Sequence, residues 1–212
     1  MSIASDARFW DRASRKYAAA KIADPGGYER TLARTQGLLK PSDSVLELGC
    51  GTGTTALRLA GAVGSYLATD LSGEMIAIAR DKLTVEPVPA LVFRAATAED
   101  LLLEGARFDA VLGFNFLHLV RDLPSTLAGI HALLKPGGLF VSKTPCLGDM
   151  NPLIRLVLLP AMRAIGKAPH VDPFGAEVLE RKIAQAGFEI LAREGHASRG
   201  RDRRPFILAR RG

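Results

Sequence analysis

The hydrophobic rhythm of the 212-residue chain changes near Pro41. Upstream, residues 8 to 22 set Phe9, Trp10, Ala13 and Tyr17 at helical spacing, and residues 28 to 39 do the same with Leu32, Thr35, Leu38 and Leu39. Asp24-Pro25-Gly26-Gly27 is expected to break these two helices apart. Downstream, short apolar runs alternate with amphipathic stretches. The runs predict strands at Ser44 to Leu48, Tyr66 to Thr69, Leu91 to Ala95, Ala110 to Phe114 and Leu139 to Lys143. Helices are expected at about 54 to 60, from a Ser72 cap to about Leu83, and from about Pro124 to Leu134, with Gly137-Gly138 turning the last into its strand.

Strand and helix in alternation predict an α/β fold, doubly wound around a mostly parallel sheet. Phe188 to Arg193 and Phe206 to Arg210 are joined by a polar, Gly/Arg-rich loop and read as a hairpin. The expected sheet is therefore seven-stranded and Rossmann-like, with the last hairpin strand antiparallel and an N-terminal helical cap. Residues 1–40 form the cap and 41–212 the α/β domain, with an inserted segment at about 145–175. That insert is rich in Leu, Ile and Val but too short and too charged to span a bilayer. It reads as a helix kinked at Pro160, as a lid over an apolar substrate, or as a surface that touches lipid.

Composition narrows the class. A chain 48% hydrophobic and 24% charged excludes a disordered or collagen-like protein. The net charge of +6 leaves an acidic partner open, and the excess gathers at Arg193, Arg199, Arg201, Arg203, Arg204, Arg210 and Arg211 against Glu194 and Asp202. The bland reading of that cluster is a solvated basic tail. Cys50 and Cys146 stand alone, so neither a disulfide framework nor a metal site is indicated. The first 17 residues are charged and lack an apolar core, which makes a cytoplasmic protein the expectation.

Chemistry concentrates in Val45-Leu46-Glu47-Leu48-Gly49-Cys50-Gly51-Thr52-Gly53-Thr54. An apolar strand running into Gly-x-Gly-x-Gly and then a helix lets the backbone turn tightly and approach a ligand closely. The dinucleotide fingerprint would need a glycine at position 54, where Thr54 stands. Asp70, at the end of the second strand, is placed to accept hydrogen bonds from the two hydroxyls of an adenosine ribose. The bland alternative, a helix cap, is better served by Ser72.

These residues resemble motif I and the following acidic residue of the class I S-adenosylmethionine-dependent methyltransferases, in the small-molecule branch that includes the ubiquinone and menaquinone biosynthesis methyltransferases. The likeness covers roughly residues 40 to 145 and extends to Asp70-Leu71-Ser72 with Met75, Thr97-Ala98-Glu99-Asp100-Leu101, Phe108-Asp109-Ala110-Val111 and Lys135-Pro136-Gly137-Gly138. The resemblance implies S-adenosylmethionine as cofactor. Glu47, Gly49, Gly51 and Gly53 would hold its methionyl part, Asp70 its ribose, and Leu71 with Met75 its apolar surroundings. The Ala98 backbone and Thr97 would address the adenine edge, and Asn115 would lie between cofactor and acceptor. Relatives usually carry aspartate where this chain has Thr97, which removes a charge-assisted bond.

Methyl transfer needs alignment and exclusion of water, and a base only when the acceptor must lose a proton. His118 is the catalytic candidate for that proton, with a structural role as its bland counterpart. Tyr17 and Tyr28, carried by the N-terminal arm, are candidate acceptor contacts, as are Lys143 for an anionic group and His170 if the insert is a lid. No metal is called for. The expected reaction is methyl transfer to a small-molecule acceptor, hydrophobic or lipid-like in view of the insert. An RNA or protein methyltransferase and a non-catalytic S-adenosylmethionine-binding protein are the alternatives. No DNA partner is expected, RNA and membrane surfaces have only the basic cluster behind them, and the oligomeric state stays open.

Overall fold

The computed structural model describes residues 3–149, 171–200 and 202–212. Its centre is a seven-stranded sheet: β1 (Ser44–Leu48), β2 (Ser65–Asp70), β3 (Leu91–Ala95), β4 (Phe108–Phe114), β5 (Leu134–Lys143), β6 (Phe188–Glu194) and β7 (Phe206–Arg211). The spatial order is β3-β2-β1-β4-β5-β7-β6. Strands β1 to β5 run parallel, and β7 lies antiparallel to both β5 and β6. This is the expected Rossmann-like sheet.

Alternating side chains explain why both faces are covered. Leu46, Val111, Phe140 and Ile207 point to one face, where they meet α5 (Ala98–Leu103), α6 (Leu123–Leu133) and α7 (Ala176–Gln185). Val45, Leu112, Val141 and Leu208 point to the other, into a cluster that includes Leu59 of α3 (Thr54–Leu59) and Ile76 of α4 (Gly73–Val85). All eight of these strand residues are at most 5% exposed. Burying one such side chain contributes about 1.5–3 kcal/mol.

The cap begins earlier than the sequence suggests, as α1 (Ile3–Ala18) and α2 (Pro25–Gln36). The expected breaker around Asp24-Pro25 is instead the start of α2. The Asp24 carboxylate accepts from Gly27 N at 2.9 Å, and Pro25 sits in the first turn, where its missing N–H costs nothing. Gly27 has no room for a side chain, because a Cβ there would come within 2.7 Å of the His196 carbonyl.

Ser72 caps α4 as expected, its hydroxyl accepting from Met75 N. Helix α5 was not predicted; it is one and a half turns long and held by a Thr97/Asp100 capping box. Helix α7, also unforeseen, buries Leu179 and Ile183. Strand β5 starts five residues earlier than expected, at Leu134, and the register shift opposite Phe108 and Ala110 absorbs Gly137-Gly138 within the strand. Residues 150–170, including His170 and most of the expected insert, lie outside the described residues.

Candidate functional site

In the order β3-β2-β1-β4 the strands are added outward to one side of β1 and then, from β4, to the other, and ligands of such sheets bind beyond the carboxyl ends of the strands at that point. Here that rim carries a cavity of about 510 Å³. Its floor is the turn after β1. Gly49 and Gly51 have φ of +67° and +54°, and a Cβ on Gly49 would strike the Phe116 ring at 2.6 Å. A Cβ on Gly51 would meet only Tyr17, at 3.5 Å, so this glycine faces open space. The turn is pinned from β2: Cys50 N donates to Thr69 O at 2.9 Å and Gly51 N to Asp70 Oδ2 at 2.9 Å.

Asp70 therefore shapes the turn rather than capping a helix. Its other oxygen accepts from Ser72 N at 2.9 Å, and burial raises its pKa although the backbone N–H groups work against that. Leu71, Met75 and Ala98 supply apolar wall beside it. Thr97 also lines the cavity, but its hydroxyl donates to Asp100 Oδ2 at 2.9 Å and accepts from Asp100 N. The capping box thus occupies the hydroxyl that the sequence offered to an adenine edge.

Two other motif residues stand behind the wall. Gly53 is filled by packing, since a Cβ would lie 2.5 Å from Phe93 Cζ. Glu47 is 2% exposed and accepts a 2.7 Å bond from Tyr66 Oη. Burial pushes its carboxyl up to about 7, the Tyr66 bond pulls against that, and the nearby Asp70 charge adds to it.

Helix α1 closes the top. Ile3, Asp6, Trp10 and Tyr17 line the cavity. Two contacts latch the helix: Asp6 to Arg121 at 2.6 and 2.7 Å, and Asp11 to Ser72 Oγ at 2.6 Å. Trp10 and Tyr17 pack edge to face with centroids 6.1 Å apart.

His118 lines the same cavity. Its Nδ1 is 2.9 Å from Thr144 Oγ1, which also accepts from His118 N. Thr144 is fully buried, and among the described residues its hydroxyl proton has no other acceptor than Nδ1. The hydroxyl thus donates to Nδ1, and the imidazole keeps its hydrogen on Nε2. Burial, reinforced by Arg204, lowers the His118 pKa to about 4. The ring is neutral at pH 7 and offers an N–H, which makes it a donor to an acceptor oxygen and a weak base.

A second cavity of about 620 Å³ adjoins the first; Tyr17, Phe114, Asn115 and Arg204 line both. Asn115 is the one non-glycine residue with positive φ among the described residues, at +51°, and its N donates to Lys143 O at 2.8 Å. Tyr28 and Lys143 belong to this second cavity, with Tyr28 Oη 3.2 Å from Thr55 Oγ1 and Lys143 Nζ 3.2 Å from Asp202 Oδ2. The cavities bring together Gly49, Gly51, Asp70, Leu71, Met75, Thr97, Ala98, Asn115, His118 and Tyr17 on one side and Tyr28 and Lys143 on the other.

Sequence reasoning missed the position of Arg204 at the wall common to both cavities, having folded it into a solvated tail. The signal was topological. An antiparallel β7 pairs Phe206 with Lys143, so the loop before β7 must lie at the carboxyl rim of β5. Among the described residues no cluster could hold a metal ion, and no helix is long and apolar enough to cross a membrane.

The groups present suit S-adenosylmethionine: a glycine floor open on one side, a carboxylate with both oxygens at the wall, apolar sides, and a volume within the 300–1,000 Å³ range of ligand pockets. Residues 45–138 match the family described as a methyltransferase domain. A demethylmenaquinone methyltransferase of Symbiobacterium thermophilum is 31% identical over 122 residues, 56% of this chain and 47% of the relative. The mitochondrial arginine-hydroxylase NDUFAF5 of Mus musculus is 35% identical over 150 residues, 69% of this chain and 42% of the relative. The chain spans about half the length of the curated relatives it matches.

Among solved structures, the [4+2]-cyclase SpnF superposes with a TM-score of 0.75 at 20% identity, covering 98% of this chain and 96% of that one. The magnesium protoporphyrin IX methyltransferase of Synechocystis PCC 6803, solved with bound S-adenosylhomocysteine, gives 0.68 at 17%, with the same two coverages. With a methyltransferase domain matched over residues 45–138 and the same fold in a solved methyltransferase, the chain resembles the class I S-adenosylmethionine-dependent methyltransferases, among them relatives named for quinone acceptors.

Proposed function

We propose that the chain transfers the methyl group of S-adenosylmethionine to a small organic acceptor held in the second cavity. The observation that carries this reading is the pair of adjoining cavities with a common wall at Tyr17, Phe114, Asn115 and Arg204. One is built like a nucleoside site, and the other is of similar size beside it. When bound, the sulfonium supplies an electrophilic methyl group. The protein's own residues then do the rest.

Asp70 presents both carboxylate oxygens to a ribose diol, while Leu71, Met75 and Ala98 flank a planar base. The open face of Gly51 admits the methionyl chain. Glu47, poised near neutrality behind the turn, favours its ionised form once a ligand ammonium approaches. Helix α1 covers the site and excludes water, and His118 donates from Nε2 to an oxygen on the acceptor. Proximity and alignment of this kind are worth about 7–11 kcal/mol in favourable cases. The relatives named for demethylmenaquinone and 2-phytyl-1,4-naphthoquinone support a ring-bearing acceptor. The RNA reading loses ground because Arg193 pairs with Glu180, Arg210 with Glu189, and Arg211 with the Leu134 carbonyl.

Calorimetry with S-adenosylmethionine, S-adenosylhomocysteine and NAD, on wild type and Asp70→Asn, tests the cofactor. Binding of both sulfur ligands that weakens tenfold or more in the variant is the expected result. NAD binding in their place would overturn it. Radiolabelled methyl transfer to a panel of ring acceptors then separates an enzyme from a protein that binds the cofactor without turnover.

A further inference from the structure

The second cavity is ringed by charge: Asp24 and Asp202 on one side of the balance, Lys21, Lys143, Arg203 and Arg204 on the other. Asp24 accepts from Gly27 N and Ser198 N at 2.9 and 2.8 Å. Asp202 accepts from Lys143 Nζ, His196 N and Ala197 N on one oxygen and from Arg204 N on the other. Lys143, the cation the sequence put forward for an anionic group, is thus neutralised by Asp202 and serves to fix the 196–204 loop.

Lys21 and Arg203 line the second cavity alone; the guanidinium of Arg204 is different. It lines both cavities at the wall they share, and among the described residues no carboxylate, carbonyl or hydroxyl bonds to it. The peptide group that leads into it is held by both its polar atoms, Arg204 N donating to Asp202 Oδ1 and Arg203 O accepting from Cys146 N at 2.9 Å. The result is a cation on a fixed stalk. Around it stand flat walls, Tyr17, Tyr28 and Phe114. A planar fork of N–H donors beside aromatic faces is complementary to a carboxylate on a flat ring.

We propose that the acceptor is an aromatic carboxylic acid, gripped through its carboxylate by the Arg204 guanidinium, with the ring against Tyr17 and Phe114 and its methyl-accepting atom toward Asn115. This rests on the methyl-transfer reading of the site and narrows its substrate class. It departs from the relatives named for demethylmenaquinone and 2-phytyl-1,4-naphthoquinone, compounds that carry no acid group. Arg204 is a specificity-determining residue here, and Lys143 with Asp202 positions it.

The test uses the full chain, with and without saturating S-adenosylhomocysteine, and reads tryptophan fluorescence and calorimetry, since Trp10 lines the adjoining cavity. The probes are 4-hydroxybenzoate, its methyl ester and inorganic phosphate. The acid is expected to bind at least about tenfold more tightly than the ester, the difference an ionic hydrogen-bonded pair makes. Arg204→Ala removes that preference, Arg204→Lys restores part of it, and Arg199→Ala leaves it intact. S-adenosylhomocysteine affinity stays within about twofold in Arg199→Ala, and in the two Arg204 variants, whose residue also edges the first cavity, it falls less than the affinity for the acid, which separates acceptor recognition from cofactor binding.

Equal binding of acid and ester, no binding of the acid at millimolar concentration, or an acid preference that survives Arg204→Ala would each overturn the proposal while leaving cofactor binding untouched. Phosphate that competes more strongly than the acid would overturn the carboxylate in favour of a phosphoryl group. Failure of S-adenosylhomocysteine to bind wild type would instead strike the methyl-transfer reading, and the acid-versus-ester comparison without cofactor would still decide whether Arg204 selects carboxylates.

Discussion

The two halves of the site are built by opposite means. The first cavity is made mainly of backbone and short-range sequence: a glycine turn, the end of the neighbouring strand and the capped start of a helix, most of it between Leu48 and Thr126. The second is made of side chains from distant places, with Tyr28 and Thr55 near one end of the chain and Lys143, Asp202 and Arg204 near the other. A pocket made by turn geometry tolerates little change in its residues. One made by loop side chains can exchange them at little cost to the fold.

The harshest way to break this contrast is Gly53→Val. The residue would place a β-branched side chain at φ +75° and drive it into Phe93. Left-handed strain and overpacking, each about 1–3 kcal/mol, are expected to add up to a loss of several kcal/mol in urea unfolding and to abolish S-adenosylhomocysteine binding. Arg204→Ala, by contrast, should leave the unfolding midpoint unmoved.

Next comes Glu47→Gln. The folded carboxyl titrates at about 7 against an ordinary 4.5, so its contribution to stability is full below pH 4.5 and is lost as pH rises through 7. The variant, which can still accept from Tyr66, should be more stable than wild type at pH 8 by an amount of order 3 kcal/mol and equal to it near pH 4. The same group makes a cationic ligand's affinity rise between pH 6 and 8. Titrations across that range should show the slope in wild type and a flat line in the variant.

Smaller effects belong to the lid. Asp6→Asn cuts the pairing with Arg121, and stopped-flow release of S-adenosylhomocysteine should quicken a few-fold, as fits a partly exposed ion pair worth about 1 kcal/mol. Smallest of all is His118→Gln, which keeps a donor. Turnover is expected to fall by less than tenfold, and its pH profile in either protein should show no His118 inflection between pH 5.5 and 8, because that ring titrates near 4.

The same contrast governs what could be read from the sequence. Strands β1 and β3 were legible to the residue, since alternating apolar positions and flanking glycines are local signals. Helix α5 was not, because six residues are too few to display a helical period. The reach of α1 to Ile3 was hidden for another reason: only Ser14 of its described residues is buried, so it has little apolar face to announce it. Within the site, Asp70 stood out because strand 2 delivers it to the rim. Arg204 was submerged among seven arginines, three of which the structure commits elsewhere, and only the antiparallel pairing of β7 singles it out. The spent hydroxyl of Thr97 could be read from Thr97-Ala98-Glu99-Asp100 itself, had the capping pattern been weighed against the ligand.

The reversal of β7 gives the scaffold a service hatch. Because the last strand enters at the rim and leaves at the base, the described residues between Gly195 and Pro205 lie at the rim of β5, where Ala197, Asp202, Arg203 and Arg204 line the second cavity. With Phe206 and Lys143 as a fixed hinge, the residues of this stretch other than Asp202, which holds the loop, and Arg204, which also lines the first cavity, could therefore be varied as a cassette to change what the second cavity takes while the glycine turn stays as it is.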